Sequence, residues 1–105
     1  MTDYVNQHLL RRRAENPNNM IVPRIRCTDG LVLSVQASWA HYSTPRNDTG
    51  PWTHVEVGFP SDTVPELIEY ADDQSEHPHT VYSFVPVTLV NEIIEAHGGP
   101  KEDKQ

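Results

Sequence analysis

The sequence predicts a small α+β domain: a mainly antiparallel sheet of three to four strands, with an N-terminal helix and a C-terminal helix covering one face. Residues 21–27 and 31–37 alternate apolar and polar side chains with the period of two that half-buried strands require. A short linker joins the two runs, as in a β-hairpin. Val90, Ile93 and Ile94 share one face of a C-terminal helix, which a Gly-Gly-Pro run then ends.

The chain length of 105 residues suits one domain, expected over residues 1–100 and followed by a frayed tail at 101–105. The first element expected is a helix over residues 3–14, because Val5 and Leu9 lie four positions apart on one helix face. Three consecutive arginines occupy its last turn, where cations complement the helix dipole. An Asn-Pro-Asn-Asn run then ends the helix.

A three-residue loop at 28–30 keeps the apolar side chains of both hairpin strands on one side, whereas a two-residue loop mixes the faces. Gly30 then stands where a type I turn with a bulge needs a left-handed residue. The register has three expected pairs, Cys27 with Leu31, Ile25 with Leu33, and Pro23 with Val35. The apolar face of the first strand is assigned to Ile21, Pro23, Ile25 and Cys27. Arg24 and Arg26 are expected to face solvent, and Pro23 places this strand at an edge, which leaves a homodimer open.

A third strand, a short helix and a fourth strand are expected between the hairpin and the final helix. In the third strand the apolar face is assigned to Thr53, Val55, Val57 and Phe59, and the polar face to Trp52, His54 and Glu56. Thr63 and Glu66 have the spacing of a capping box, which predicts a short helix ending near Tyr70. Residues 71–79 form an acidic polar loop, and residues 80–85 form the fourth strand.

The formal net charge of −7 is unevenly distributed along the chain. Residues 1–46 hold six basic and three acidic side chains, a net +3, whereas residues 47–105 hold two basic and twelve acidic, a net −10. An acidic chain repels nucleic acid unless its basic residues are segregated, so direct nucleic-acid binding is disfavoured.

No apolar run approaches the roughly 20 residues of a membrane span. The N-terminal charges follow the apolar pair instead of preceding it, and Cys27 is the only cysteine. We therefore expect no membrane association, no internal disulfide and a cytoplasmic location.

No catalytic motif stands out in the sequence, which has no phosphate loop, dinucleotide fingerprint, nucleophile elbow or pair of zinc cysteines. Cys27 and His54 fall on opposite faces of the expected sheet, which separates the thiol from this imidazole. The six histidines are scattered along the chain, and a zinc site needs three or four converging ligands. We therefore expect a protein that is not an enzyme, with no metal site and no cofactor.

Residues 38–54 concentrate the residue types that dominate binding surfaces, large rigid aromatic rings and directional hydrogen-bond donors. The candidate binding residues are Trp39, His41, Tyr42, Arg46, Trp52 and His54. Arg46, beside aromatic and hydroxyl groups, could hold an anionic group. The alternative is that the two tryptophans cover the small core and that the loop binds nothing. The sequence leaves both open.

Three stretches, at residues 17–38, 34–61 and 80–99, carry a pattern that extends over roughly residues 16–99 without the acidic loop: PNNMIVPRIRCTDGLVLSVQAS, SVQASWAHYSTPRNDTGPWTHVEVGFPS and TVYSFVPVTLVNEIIEAHGG. Their pattern resembles a family of small uncharacterised proteins encoded by tailed bacteriophages and prophages. Small phage accessory proteins commonly act on host machinery by binding alone. The resemblance therefore implies an accessory protein that binds a host macromolecule in the host cytoplasm, with inhibition of a bacterial antiviral defence system as the most concrete version. The alternative is a small-molecule binding protein that sequesters an anionic ligand such as a nucleotide signal.

Overall fold

The computed structural model describes residues 2–73 and 80–101, so most of the predicted acidic loop and all but the first residue of the predicted tail lie outside the described residues. The helices and strands are α1 (Tyr4–Glu15), β1 (Ile25–Arg26), β2 (Val32–Gln36), β3 (His54–Gly58), a 3₁₀ helix (Pro65–Tyr70), β4 (Val81–Pro86) and α2 (Val87–Ala96). All four strands pair antiparallel, in the order of the chain. The predicted α+β fold, an antiparallel sheet with a helix at each end of the chain, is confirmed.

The hairpin between β1 and β2 has the predicted register, with Ile25 opposite Leu33. The Cys27 N–H donates to the Leu31 carbonyl at 2.7 Å, and the Gly30 N–H closes the turn on the Cys27 carbonyl at 3.0 Å. Gly30 has a φ of +105°, the left-handed conformation that the turn requires. Cys27 is 1% exposed, and the two arginines before it face solvent, as the alternation predicts.

The prediction for the chain before Ile25 is wrong, because Ile21 is 64% exposed, Pro23 is exposed and Val22 is buried. The ladder of β1 stops at Ile25, so the expected pairing of Pro23 across the hairpin is not part of it. The side chain of Gln36 replaces that pairing: its Oε1 accepts the Val22 N–H and its Nε2 donates to the Val22 carbonyl, both at 2.9 Å. Because a side chain holds the backbone of Val22, the two-residue alternation ends here, and Gln36 itself is buried.

β3 and β4 are joined across a bulge that the sequence analysis does not predict. Val55 lies opposite Val85 and Val57 lies opposite Tyr82, so β4 contains one residue more than β3 over this interval. Phe84, within the bulge, has a φ of +51° and is 44% exposed. A bulge bends its strand and redirects a side chain, which here brings a large ring to the surface.

Two local predictions need correction near the end of β3. Phe59 was expected in the core but is 50% exposed, because β3 ends at Gly58 and a φ of +42° at Phe59 turns the chain out of the sheet. The short helix is a 3₁₀ helix, and the predicted capping box is wrong, since its N-cap is Val64 with no side-chain cap. A residue before proline favours extended backbone, so Val64, before Pro65, begins the helix in place of Thr63.

α2 presents the predicted apolar stripe to the core, with Val90, Ile93 and Ile94 each no more than 1% exposed. Burial of a side chain of this size contributes about 1.5–3 kcal/mol to stability. Gly98 and Gly99, at φ +92° and +80°, end the helix as the Gly-Gly-Pro run predicts. Within the described part of the chain, none of the helices combines the length and apolar character needed to cross a bilayer.

Buried amides attach α1 to the rest of the fold. The Asp3 carboxylate caps α1 by accepting the Asn6 N–H at 3.0 Å, and Asn91 of α2 accepts the Val5 N–H at 3.0 Å. Asn91 also donates to Asp3 at 3.2 Å. Burial raises the pKa of Asp3, but the hydrogen bonds from Asn6 and Asn91 outweigh it, so that pKa lies below its ordinary value.

Candidate functional site

Trp52 anchors the predicted binding segment, residues 38–54, to the core. It is 2% exposed, its backbone N–H donates to Asn6 Oδ1 at 2.8 Å, and its indole Nε1 donates to the Asn47 carbonyl at 3.2 Å. Gly50 makes room for the indole, because a Cβ at this position, where φ is +60°, would lie 2.7 Å from the ring. Trp52 therefore covers the core and does not line an exposed surface.

Beyond that anchor, the segment presents exposed side chains that form one surface with a residue of β4. We call it the aromatic surface; its members are Trp39, Tyr42, Arg46 and Phe84. The ring centroids of Tyr42 and Phe84 lie 5.8 Å apart, and the rings are tilted by 47°. Arg46 Cζ lies 5.6 Å from the Tyr42 centroid, within the range of a cation–π contact. Arg46 Nε also donates to the Trp39 carbonyl at 2.9 Å, which links the fourth member to the other three.

Hydrogen bonds to two other elements fix the backbone under the aromatic surface. The N–H of Phe84, in the bulge of β4, donates to the Tyr42 carbonyl at 3.2 Å. The Trp39 N–H donates to Asp48 Oδ1 at 3.1 Å, and Arg13 of α1 pairs with the same oxygen at 3.4 Å. The surface is therefore held against both the sheet and α1, although it is built mainly from a loop.

His41 is half-buried between Ser38 and Glu56. Its Nδ1 lies 2.7 Å from Ser38 Oγ, and its Nε2 lies 3.9 Å from Glu56 Oε2. Burial and then the charge of Arg13 lower the pKa of His41, against the opposing effect of Asp48. A lowered pKa favours the neutral imidazole, which disfavours an ion pair between His41 and Glu56 near neutral pH.

Glu56, on the polar face of β3, gives the neighbourhood of the aromatic surface a negative character. Its carboxyl is half-buried, and burial first and the charge of Asp72 second raise its pKa, against the opposing effect of Arg46. Asp72 accepts the Ser83 hydroxyl at 2.5 Å. An anion bound at Arg46 would therefore lie near two carboxyl groups.

His54 stands apart from the other predicted site residues. It lies at the start of β3, opposite Pro86, and its Nδ1 is 3.0 Å from Thr53 Oγ1. No hydrogen bond or ion pair among the described residues links it to Tyr42 or Arg46. The six predicted residues therefore divide into exposed Trp39, Tyr42 and Arg46, half-buried His41 and His54, and buried Trp52.

A separate cleft of about 370 Å³ lies beside the hairpin turn, lined in part by Asp29, Ser61 and His97. His97 Nδ1 lies 2.6 Å from Asp29 Oδ2. The Leu31 N–H first, and His97 second, lower the pKa of Asp29 by hydrogen-bonding its carboxylate. Within residues 2–73 and 80–101, no three His, Cys, Asp or Glu side chains converge to hold a metal ion. The contact between His97 and Asp29 joins the end of α2 to the turn between β1 and β2.

The aromatic surface combines exposure with a fixed arrangement, and Glu56 and Asp72 place negative charge beside it. Comparisons of the chain with protein-family models, with curated proteins and with solved structures gave no match.

Proposed function

We propose that this chain is a non-enzymatic accessory protein of the phage type that binds a host protein through its aromatic surface. Inhibition of a bacterial antiviral defence system is the most concrete form of the proposal. The observation that carries it is the exposed and fixed arrangement of Tyr42, Phe84 and Arg46. The phage context comes from the resemblance of residues 16–99, and host cytoplasm would be the place of action.

Exposure and rigidity together support binding by this surface. Trp39 is 59% exposed, and Tyr42 and Phe84 are each 44% exposed, so each ring leaves a large area in water that a partner could bury. Tryptophan, tyrosine and arginine are the side chains that most often dominate the energy of protein interfaces. The rings of Tyr42 and Phe84 and the guanidinium of Arg46 already contact one another, and Arg46 also holds the Trp39 carbonyl. A partner would therefore lose less binding energy to ordering these groups.

The charges beside the surface favour a protein partner over an anionic small molecule. Arg46 is the basic member of the surface, and it already contacts the Tyr42 ring and the Trp39 carbonyl. Glu56 and Asp72 would repel an added anion at close range. A protein with an apolar patch and a basic rim complements this arrangement, and residues 47–105, with their net charge of −10, would steer it into place. Enzymes that hold nucleic acid in basic grooves offer a positively charged surface of this kind.

The order Ser38, His41, Glu56 is that of a nucleophile, a base and an acid, but its geometry supports a structural role. Ser38 is 0% exposed, whereas a nucleophile has to reach its substrate. Its Oγ accepts the Ala40 N–H at 3.0 Å, and its carbonyl accepts the Ser43 hydroxyl at 3.1 Å. These hydrogen bonds stabilise a tight turn at the start of the loop, and a fixed turn helps to hold the aromatic surface in place.

Paired variants test the proposal. Tyr42→Ala and Arg46→Ala each remove a member of the aromatic surface, and Leu10→Ala removes a similarly exposed apolar side chain on α1 as the control. Tagged wild type captures partners from lysate of a phage-susceptible bacterium, and each captured protein is then titrated in purified form against all variants. We expect the two surface variants to bind about tenfold or more weakly, and Leu10→Ala to bind like the wild type.

Equal binding by all variants would place the interface elsewhere on the molecule. The broader proposal has its own test: the wild-type chain is expressed in strains that carry antiviral defence systems, and phage plating is measured. Restored plating that is lost in Tyr42→Ala supports inhibition of a defence system. No captured partner together with unchanged plating in all strains contradicts the proposed function.

A further inference from the structure

The basic residues of this acidic chain converge on a groove between α1 and the edge strand β1. Of the eight lysines and arginines in the sequence, five line what we call the basic groove: Arg11, Arg12, Arg24, Arg26 and Lys101. No acidic side chain of the described residues lines it. The basic groove is distinct from the aromatic surface, to which Arg46 belongs.

The fold brings these cations together from three separate parts of the chain. The left-handed turn at residues 98–99 returns the chain from α2 to β1, where the Lys101 N–H donates to the Arg26 carbonyl at 2.7 Å. On the other side, His8 of α1 hydrogen-bonds to the Pro23 carbonyl at 2.8 Å. These two contacts position the walls of the groove without using the charged ends of Arg24, Arg26 or Lys101.

The positive charge of the groove is only partly compensated within the described residues. Arg12 pairs with Glu15 at 3.2 Å. Arg11, Arg24 and Arg26 form no ion pair with a described acidic residue. Neighbouring like charges repel one another, so an anion bound between them would remove an unfavourable interaction as well as add favourable ones.

The groove has two chemically different ends. A hollow of about 40 Å³ lies among the cations. It continues past residues that line both hollows, His8, Arg11, Ile25 and Pro100, into a second hollow of about 90 Å³. The walls of the second hollow add Tyr4 and Gln7, an aromatic ring and an amide. One end therefore suits a compact anion, and the other suits a flat polar ring.

We propose that the basic groove binds a mononucleotide, with its phosphate among the arginines and its nucleoside beside Tyr4 and Gln7. Guanidinium groups match the oxygens of a phosphate in paired hydrogen bonds. A single phosphate interacts mainly with charges within about 8 Å at physiological salt, so acidic residues beyond that distance contribute little repulsion. A long nucleic acid would extend beyond the groove and meet the repulsion of a chain whose net charge is −7.

Calorimetric titration at an ionic strength of about 0.15 M, where charges more than about 8 Å away are screened, tests this assignment with three probes: adenosine 5′-monophosphate, inorganic phosphate and adenosine. Arg26→Gln removes one charge from the groove, and Arg46→Gln removes one charge outside it, so the two variants have the same net charge. We expect the nucleotide to bind more tightly than phosphate, and adenosine to bind most weakly. We expect Arg26→Gln to weaken nucleotide binding about tenfold or more, the effect of losing one charged hydrogen bond, and Arg46→Gln to change it less than about twofold, because that charge is screened.

Several results would overturn the assignment. Equal weakening by the two variants would show that only net charge matters, and equal affinity for phosphate and nucleotide would remove the nucleoside from the site. No saturable binding of either phosphate probe would remove the site altogether. A single-stranded oligonucleotide serves as the fourth probe, and binding of this polymer alone, lost in Arg26→Gln, would replace the mononucleotide with nucleic acid.

Discussion

The side-chain amide of Asn6 hydrogen-bonds both backbone groups of Trp52: its Oδ1 accepts the Trp52 N–H at 2.8 Å, and its Nδ2 donates to the Trp52 carbonyl at 2.9 Å. The two residues lie 46 positions apart, and both are buried. The amide thus occupies the place that a backbone segment would take in a sheet, and it joins the first turn of α1 to the anchor of the binding segment.

Replacing Asn6 with alanine should therefore destabilise the fold. The change leaves two buried backbone groups of Trp52 without partners, and we expect the free energy of unfolding to fall by about 1–3 kcal/mol. Urea denaturation measures the loss. Gln7→Ala, at the exposed neighbouring position, is the control and should stay within about 0.5 kcal/mol of the wild type. Equal losses in the two variants would mean that the amide contact contributes nothing of its own.

Trp52 and Arg46 should differ sharply in their effect on stability. Trp52→Ala removes a buried aromatic side chain from the core, and we expect it to cost about 3–5 kcal/mol. Arg46→Ala removes an exposed cation–π contact and one hydrogen bond, which should cost less than about 1 kcal/mol. Thermal and denaturant unfolding of both variants checks the contrast. A large loss in Arg46→Ala would make this residue part of the structural support and weaken its assignment to the aromatic surface.

Glu56→Gln should stabilise the protein at neutral pH. Burial and the charge of Asp72 raise the pKa of Glu56 in the folded state, against the effect of Arg46. The folded chain therefore binds this proton more readily than the unfolded chain does, and stability falls as pH rises through the raised pKa. The glutamine variant lacks this loss, so its advantage should shrink on acidification and vanish where Glu56 is protonated in both states.

Unfolding measured from pH 4 to pH 8 follows that difference. Glu92→Gln, an exposed change on α2, is the control for the removal of one negative charge. If Glu92→Gln stabilises the chain as much as Glu56→Gln does, then the effect belongs to the overall charge and not to the half-buried site.

Cys27 should react slowly with alkylating reagents in the native protein. It is 1% exposed, and burial, with a contribution from the charge of Asp29, raises its pKa to about 11. Against an ordinary thiol, that pKa alone lowers the reactive thiolate at neutral pH by about 100-fold. Iodoacetamide labelling followed by mass spectrometry, with urea-unfolded protein as the reference, measures the ratio of rates. Labelling of the native chain as fast as the reference would place Cys27 outside the core.

The fold could be predicted where a local pattern carries the information. Alternation with a period of two determines the pairing of Ile25 with Leu33, because a slip of one residue would turn every apolar side chain to the wrong face. Helical spacing likewise identifies the buried face of α2. Both patterns lie within a few residues of sequence, and the structure retains the helical stripe and, from Ile25 onward, the alternation.

What could not be predicted depends on distant parts of the chain. The burial of Val22 follows from hydrogen bonds between its backbone and the side chain of Gln36, and no sequence pattern near Val22 predicts those bonds. Phe84 reaches the aromatic surface because β4 contains a bulge. The spacing of three between buried Tyr82 and Val85 is the signal of that bulge, but it can be interpreted only once both are known to be buried. The sequence therefore could not predict Phe84 as the partner of the Tyr42 ring.

The backbone hydrogen bond between Lys101 and Arg26 also affects how copies of this chain can associate. The outer side of β1 is occupied by the chain itself, and on the opposite border the Asp72 N–H donates to the Val81 carbonyl of β4 at 2.9 Å. Exposed strand borders act as templates on which foreign strands polymerise. A strand arriving at either of these points would first have to displace the resident segment. At these two points the fold thus resists the addition of a foreign strand to its sheet.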